Sequence, residues 1–470
     1  MYNYKKIHLT GVCGSAMGSF AGMLKEKGFE VTGSDQNVYP PMSDQLKRLG
    51  IQLLEGYKEE NVAYNPDLVI IGNTTKRDNP EVKYILEKGL KYLSFPQAFA
   101  EICLKDKISI VVSGTHGKST LTSLMAWILD YAGTAPSFFV GGIPKNFEKS
   151  YKLASGNYFV SEGDEYDTAF FDKRPKFLHY QPYHTIITSI EYDHADIYQS
   201  LAQIIREFEN LIELIPKEGS LTACIDCTNV RDIIKKARCA IDTYGFSKDA
   251  KWSGSIQKID EEGMEFLVSY QGNTFGTFNS SIVGEHNLLN MLGAIALANR
   301  LGISLDMIKG ALKTFTGVKR RQEIRGIAND VIVIDDFAHH PTAIEETIKA
   351  VKRKYSKRKL WAIFEPRTNS TRRNIFEKEL GISFSHADEI IIAPVFRPEA
   401  LKDDERLNVE NVLKKIKESG KHAYSLPSVT AIIDKISRDA RRGDVILIMS
   451  NGGFENIHER LLTALKGSLG

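Results

Sequence analysis

Residues 108–129 read ISIVVSGTHGKSTLTSLMAWIL, and this stretch decides the fold. Ile108-Ser109-Ile110-Val111-Val112 has the pattern of a short buried strand. Ser113 to Thr120 is a glycine-rich turn, and Leu121, Leu124, Met125, Ile128 and Leu129 then recur at the spacing of a core-facing helix. A strand, a glycine turn and a helix in that order suit phosphate. The turn's amides point inward and the helix N-terminus adds positive potential. Gly114, Thr115, His116, Gly117, Lys118, Ser119 and Thr120 are therefore candidates for holding a polyphosphate nucleotide. Lys118 reaches the β and γ phosphates, and the Ser119 hydroxyl serves Mg2+. The full motif would place a glycine at position 112. Valine stands there, so the loop is a shortened form.

Mg2+ needs further oxygen ligands. Tyr158-Phe159-Val160 runs into Ser161-Glu162-Gly163-Asp164-Glu165, and Thr185–Ile190 runs into Glu191-Tyr192-Asp193-His194. Both acidic clusters follow predicted strands, at the sheet edge where ligands of open α/β sheets bind. Glu162 is the first candidate metal ligand.

The same alternation of short apolar runs and helical stretches extends both ways, predicting an α/β protein with largely parallel sheets. At about 150 residues per domain, 470 residues suggest about three domains. The boundaries read as 1–105, 106–324 and 325–470. The first segment carries strands near Lys6–Leu9, Phe29–Thr32 and Asp67–Ile71, with Gly11, Gly14 and Gly18 after the first. That spacing departs from the dinucleotide fingerprint, although Asp35 can still meet a ribose hydroxyl. The third segment carries apolar runs at Val331–Ile334, Leu360–Phe364, Glu389–Ala393 and Val445–Met449.

Other polar groups cluster at predicted element ends. Gly284-Glu285-His286-Asn287-Leu288-Leu289-Asn290 opens a helix and offers polar contacts to a base. Arg320 and Arg321 lie between the second and third segments, where an arginine can swing onto a transferring phosphate. Asp335-Asp336-Phe337-Ala338-His339-His340-Pro341 ends a strand with two histidines before a proline.

Composition narrows the function further. Sixty-one Lys+Arg against fifty-nine Asp+Glu leave +2, so no global field recruits nucleic acid or an anionic membrane. Apolar residues at 42% exclude a disordered chain. No run approaches the roughly 18–20 apolar residues of a membrane span. The opening Met1–His8 lacks a signal-peptide core, so a soluble, cytoplasmic protein without an obligate protein partner is expected. Five cysteines do not read as a disulfide framework, and Cys224-x-x-Cys227 has no second ligand pair nearby for zinc.

Taken in order, Gly-Thr-His-Gly-Lys-Ser (114–119), Glu-Gly-Asp-Glu-Tyr-Asp (162–167), Tyr-Asp-His-Ala-Asp (192–196), Gly-Glu-His-Asn (284–287) and Asp-Asp-Phe-Ala-His-His-Pro-Thr (335–342) resemble the Mur ligases over essentially the whole chain. The resemblance implies a Rossmann-like UDP-binding domain, a P-loop-like ATPase domain and a Rossmann-like C-terminal domain. It implies an ATP- and Mg2+-dependent ligase of bacterial wall synthesis, in which a carboxylate is phosphorylated by ATP and the acyl phosphate is attacked by an amine. The Gly11-x-x-Gly14 turn and His-His-Pro place the chain near the members that use UDP-N-acetylmuramate directly. Residues 33–43, Ala169–Arg174, Glu365–Ser370 and Met449–Phe454 look like the members that add L-alanyl-γ-D-glutamyl-meso-diaminopimelate, a salvaged tripeptide, rather than L-alanine. Later Mur ligases carry a modified lysine on the helix after the Asp-His motif, whereas Gln199 to Ile215 contains no lysine. A folate polyglutamate synthase would not need the first domain. A nucleotide or UDP-sugar sensor without turnover is the rival of a different class.

By this resemblance Gly11, Gly14, Ser15, Met17, Gly18, Ser34 and Asp35 bind the UDP part. Ser119, Glu162 and His194 serve metal, with His194 near the muramate carboxylate. His286, Asn287 and Asn290 contact the nucleotide and Asp336 lies near its ribose. Either Arg320 or Arg321 touches the γ-phosphate, and either His339 or His340 faces the substrate. From charge and position alone, Arg367, Arg372, Arg373 and Arg397 are candidates to pair with the peptide's carboxylates.

Overall fold

The computed structural model describes residues 4–38, 42–195 and 197–468. Met1–Asn3, Tyr39–Pro41 of the 33–43 stretch and Asp196 of the Tyr-Asp-His-Ala-Asp motif lie outside the described residues.

Lys6–Thr10 has a parallel strand on each side, so Ile7 and Leu9 are fully buried. The first sheet runs Gln52–Glu55, Glu30–Asp35, Lys6–Thr10, Leu68–Ile71, Tyr92–Ser94, all parallel. Chain order reverses about Lys6–Thr10, which makes its C-terminal end a switch point where ligands bind.

Ile108–Ser113 is built the same way, between His184–Ile187 and Tyr158–Gly163, both parallel to it. Ser220–Cys224 and Ala240–Gly245 continue one side, and Ser137–Phe139 and Tyr151–Lys152 the other. The helix Lys118–Tyr131 follows, with Leu121, Leu124, Met125, Ile128 and Leu129 fully buried. The strand expected through Ile190 stops at Ile187. The Thr188 amide makes the last ladder bond, to the Ser113 carbonyl at 3.0 Å, and its hydroxyl then ties the turn by donating to the His116 carbonyl at 2.6 Å.

The chain divides into two compact units. The first holds both of these sheets, in residues 1–190, 202–244 and 293–308. Aromatic rings close the space between the sheets: Phe95 on Phe139 at 5.4 Å, Phe99 on Phe159 at 5.3 Å and Phe99 on Tyr180 at 5.2 Å.

The second unit comprises residues 191–201, 245–292 and 309–470. Trp252–Asp260, Gly263–Tyr270 and Asn273–Ser280 form antiparallel hairpins. The third sheet runs Glu323–Ala328, Val331–Asp336, Val445–Met449, Leu360–Phe364, Glu389–Ile392, His422–Ser425, parallel except for its first strand. Lys352-Arg353-Lys354 ends the helix Pro341–Lys354, where cations suit the dipole. Lys352 pairs with Asp388 at 2.6 Å and Arg353 with Glu285 at 3.0 Å, so these charges are already matched.

Candidate active site

The phosphate loop begins where the Ile108–Ser113 ladder ends. A Cβ on Gly114 would lie 2.1 Å from Thr188 Oγ1, so only glycine lets the turn pass beneath residues 188–189. The Thr115 amide donates to the Ser189 carbonyl at 2.9 Å and the His116 amide to Ser189 Oγ at 3.2 Å. Gly117 takes φ +81°, the left-handed conformation that turns the chain into the helix. The loop residues 114–117 and the helix start Lys118-Ser119-Thr120 are thus brought together as expected from the sequence.

Two acids meet this loop from Tyr158–Gly163 and the turn after it. Ser119 Oγ donates to Glu162 Oε1 at 2.9 Å, and the Gly141 amide donates to Glu162 Oε2 at 2.8 Å. Burial and the neighbouring Asp164 charge raise the Glu162 carboxyl above the usual range. A half-buried carboxylate at a strand end beside a second acid suits a cation, and the all-oxygen pair Ser119–Glu162 fits Mg2+. Lys118 Nζ lies 2.7 Å from Glu165 Oε2. Burial pulls the Lys118 pKa down, but Glu165 and Asp164 outweigh it and the net shift is upward. A second buried lysine, Lys176, lies 3.4 Å from Asp164 and 4.0 Å above the Tyr166 ring. Burial lowers its pKa against the pull of Asp164. Sequence reasoning assigned no role to Glu165 or Lys176. Glu165 had a signal, three positions past Glu162 at the same strand end; Lys176, one of several charged residues in Asp172-Lys173-Arg174-Pro175-Lys176, had none.

In the first sheet, the Gly11 and Val12 amides both donate to the Ser34 carbonyl, at 2.8 and 3.0 Å. Asp35 takes the Cys13 amide at 2.9 Å. Helix Ser15–Glu26 follows, with Met17 and Gly18 buried. The structure therefore brings Gly11 and Gly14 of the turn, Ser15, Met17 and Gly18 of the helix start and Ser34 and Asp35 of the neighbouring strand to one sheet edge. The Ser34 hydroxyl points inward, to the buried Glu81 at 2.7 Å, a partner the sequence did not announce.

The remaining candidates belong to the second unit. His194 has φ +53°, and its amide donates to Asp193 Oδ1 at 2.7 Å. Ser370 Oγ donates to the same oxygen at 2.8 Å. Burial opposes ionisation of Asp193, but the His194 and His339 charges and these bonds prevail and hold its carboxyl down at about 2. His340 is buried, with Nε2 3.3 Å from the Tyr192 carbonyl and its ring edge-on to Phe376 at 4.8 Å. His339 Nδ1 lies 3.0 Å from the Phe337 carbonyl. The His286 ring is 3.3 Å from Gln322 Nε2, while Asn287 donates to the Val283 carbonyl and Asn290 is buried nearby on the same helix. Both Asp336 oxygens receive amides, from Gln322 at 2.8 Å and Ala338 at 2.7 Å.

The two arginines differ. Arg320 is 3.3 Å from Asp335 and donates to the carbonyls of Ser450 at 2.5 Å and Gly452 at 2.8 Å. Among the described residues Arg321 has no acid within ion-pair distance; its guanidinium lies 5.0 Å over the Phe337 ring. Three of the four third-segment arginines converge on Phe396. Arg367 stacks 3.7 Å over its ring, Arg397 lies 5.2 Å from it and Arg372 donates to its carbonyl at 3.3 Å. Arg373 instead pairs with Glu405.

With this geometry established, comparison with known proteins is direct. Residues 6–107 match the Mur ligase family catalytic domain, 112–298 the Mur ligase middle domain and 320–452 the Mur ligase glutamate ligase domain. The UDP-N-acetylmuramate–L-alanyl-γ-D-glutamyl-meso-2,6-diaminoheptandioate ligase of Escherichia coli is 39% identical over 462 residues, covering 98% of each chain. The chain belongs to the Mur ligase family. Among solved structures, this Mur ligase is 38% identical to the murein peptide ligase of Psychrobacter arcticus, with TM-score 0.72 and 99% of each chain covered. It is 25% identical to the UDP-N-acetylmuramate–alanine ligase of Thermotoga maritima, with TM-score 0.80, 98% of this chain and 99% of that one. Sequence identity is higher to the peptide ligase and the TM-score to the alanine ligase. Among the described residues no helix is long and apolar enough to cross a membrane.

Proposed function

We propose that this Mur ligase joins L-alanyl-γ-D-glutamyl-meso-diaminopimelate to UDP-N-acetylmuramate at the expense of ATP, through an acyl phosphate. The observation that carries the proposal is the convergence of Lys118, Ser119 and Glu162 on the phosphate loop, in a chain 39% identical to a ligase of that name.

A free carboxylate resists amine attack because it is anionic and has no good leaving group. Phosphorylation supplies the leaving group, but it requires an anionic carboxylate to approach a polyanion, and cations must offset that repulsion. Lys118 and the loop amides hold the triphosphate. Ser119 and Glu162 hold Mg2+, which when bound neutralises phosphate charge. Arg321, with no acid at ion-pair distance among the described residues, is the arginine available to the γ-phosphate, whereas Arg320 braces the base of the third sheet. His194 orients the muramate carboxylate or its metal, with Asp193 and Ser370 fixing its backbone. His286, Asn287 and Asn290 border the nucleotide. Asp336 shapes the turn into the third domain through its two amides, close to where the ribose lies. His340 fixes residue 192 and His339 faces the substrate. Arg367, Arg372 and Arg397, gathered about Phe396, take the peptide's carboxylates. Domain boundaries near residues 105 and 324 follow from the same reading. Free cysteines and a near-neutral charge support a cytoplasmic enzyme whose partners are its small substrates rather than nucleic acid or membrane.

The test is phosphate release with ATP, Mg2+, UDP-N-acetylmuramate and either the tripeptide or L-alanine. A clear preference for the tripeptide is expected; preference for free alanine overturns the acceptor assignment. Binding of both nucleotides without turnover would make the protein a sensor instead.

A further inference from the structure

Beneath the glycine turn of the first sheet lies a fully buried carboxylate, Glu81. Its Oε2 accepts from Thr10 Oγ1 at 2.8 Å and from Ser34 Oγ at 2.7 Å, and its Oε1 accepts from Asn61 Nδ2 at 2.6 Å. His8 Nε2 stands 3.6 Å from Oε2. Glu81 is itself fixed at the start of a helix whose cap, Asn79, accepts its amide at 2.9 Å.

The two hydroxyls that meet at Oε2 come from the two sides of the turn. Thr10 is the last strand residue before Gly11. Ser34 presents the carbonyl on which the Gly11 and Val12 amides close, and the adjoining Asp35 receives the Cys13 amide. Asn61 also donates to the Gly56 carbonyl at 2.9 Å, just past the neighbouring strand Gln52–Glu55. One carboxylate thus ties the ends of two strands, and the turn between them, into a single register. Burial would push its carboxyl up, but the bonds from His8, Asn61 and Ser34 prevail and keep it ionised. A buried acceptor with several donors is costly to lose, because each donor is left unsatisfied.

We infer that Glu81 is a positioning residue for UDP-N-acetylmuramate: it holds the Gly11–Gly18 turn in the shape that receives the UDP moiety, without touching the nucleotide. The inference rests on the assignment of that turn as the UDP site and extends it to a residue outside the turn. The effect is selective, because the ATP loop lies on a different sheet with its own acids.

The experiment measures UDP-N-acetylmuramate and ATP binding to the full-length protein by calorimetry, with steady-state kinetics alongside. Glu81→Gln keeps the volume but cannot accept from both Asn61 and the hydroxyl pair. It should weaken UDP-N-acetylmuramate binding about tenfold, raise the KM for that substrate alone, and leave ATP binding and kcat within about twofold. Thr10→Val removes one donor and should give a smaller loss, about threefold, with the same selectivity. A folded Glu81→Gln protein that binds UDP-N-acetylmuramate like wild type overturns the inference. So does an equal loss for both nucleotides, the signature of a merely structural residue. If Glu81→Gln does not fold, Thr10→Val decides by the same criterion. Wild type that fails to bind UDP-N-acetylmuramate overturns the site assignment itself, a different result from wild-type binding unaffected by the substitutions.

Discussion

Lys118 Nζ rests 2.7 Å from Glu165 Oε2, with the two side chains only 12% and 4% exposed. The lysine is therefore charged and already matched when ATP arrives. On the proposed role of Lys118, binding would exchange one anionic partner for another instead of desolvating a free ammonium.

Removing that ammonium deletes the ion pair to the buried Glu165 and, on the proposed role, a cation from the phosphates. Lys118→Ala should abolish ATP-dependent coupling, by at least about a thousandfold in kcat/KM. Phosphate release checks it; coupling that persists would mean the loop does not hold the triphosphate. Glu165→Gln, which frees Lys118, should tighten ATP binding severalfold by calorimetry.

Arg320 and Arg321 should separate cleanly. Arg320→Ala removes one of the partners of the buried Asp335, which keeps Arg325 and His458, and leaves two carbonyls without their donor, so it should lower Tm, at a cost of about 1–3 kcal/mol. Arg321→Ala should leave Tm unchanged and reduce kcat about a hundredfold or more. The reverse pattern would assign the phosphate contact to Arg320.

Arg397 has φ +46° and flanks Phe396 without an ion pair among the described residues. Such backbone strain in a non-glycine residue persists where surroundings impose it, often at ligand sites. Arg397→Ala should raise the KM for the tripeptide about tenfold and leave those for ATP and UDP-N-acetylmuramate unchanged. Initial rates with each substrate varied in turn would measure this.

Acid should destabilise the first unit through His184. Burial and then the Arg300 charge bring its pKa down to about 4, and its Nδ1 is 2.8 Å from Ser220 Oγ. An unfolded histidine titrates near 6.5, so between about pH 6.5 and 4 the unfolded chain binds the extra proton. Stability is then complete above about pH 6.5 and falls by about 3 kcal/mol toward pH 4. His184→Gln should flatten that part of the pH dependence in denaturant melts. An unchanged slope would show that His184 is not its source.

The three largely parallel sheets and the phosphate loop were legible because their signals are local. Continuous apolar runs mark strands covered on both faces, and Gly-Lys-Ser opening a helix marks a turn of inward amides. The antiparallel hairpins from Trp252 to Ser280 were not legible. Their strands are half-exposed and polar, and pairing one with the next is a long-range choice.

Residue types and their order along the chain were enough to determine the α/β class and the strand, glycine turn and helix from Ile108 to Tyr131. Only the tertiary structure decided which charges are already matched. Arg320 and Arg321 are neighbours in sequence, yet one is bound to Asp335 and two carbonyls and the other is not. Glu81 and Ser34 are 47 positions apart and share a hydrogen bond. Partnership of that kind depends on distance through space, which local composition does not encode.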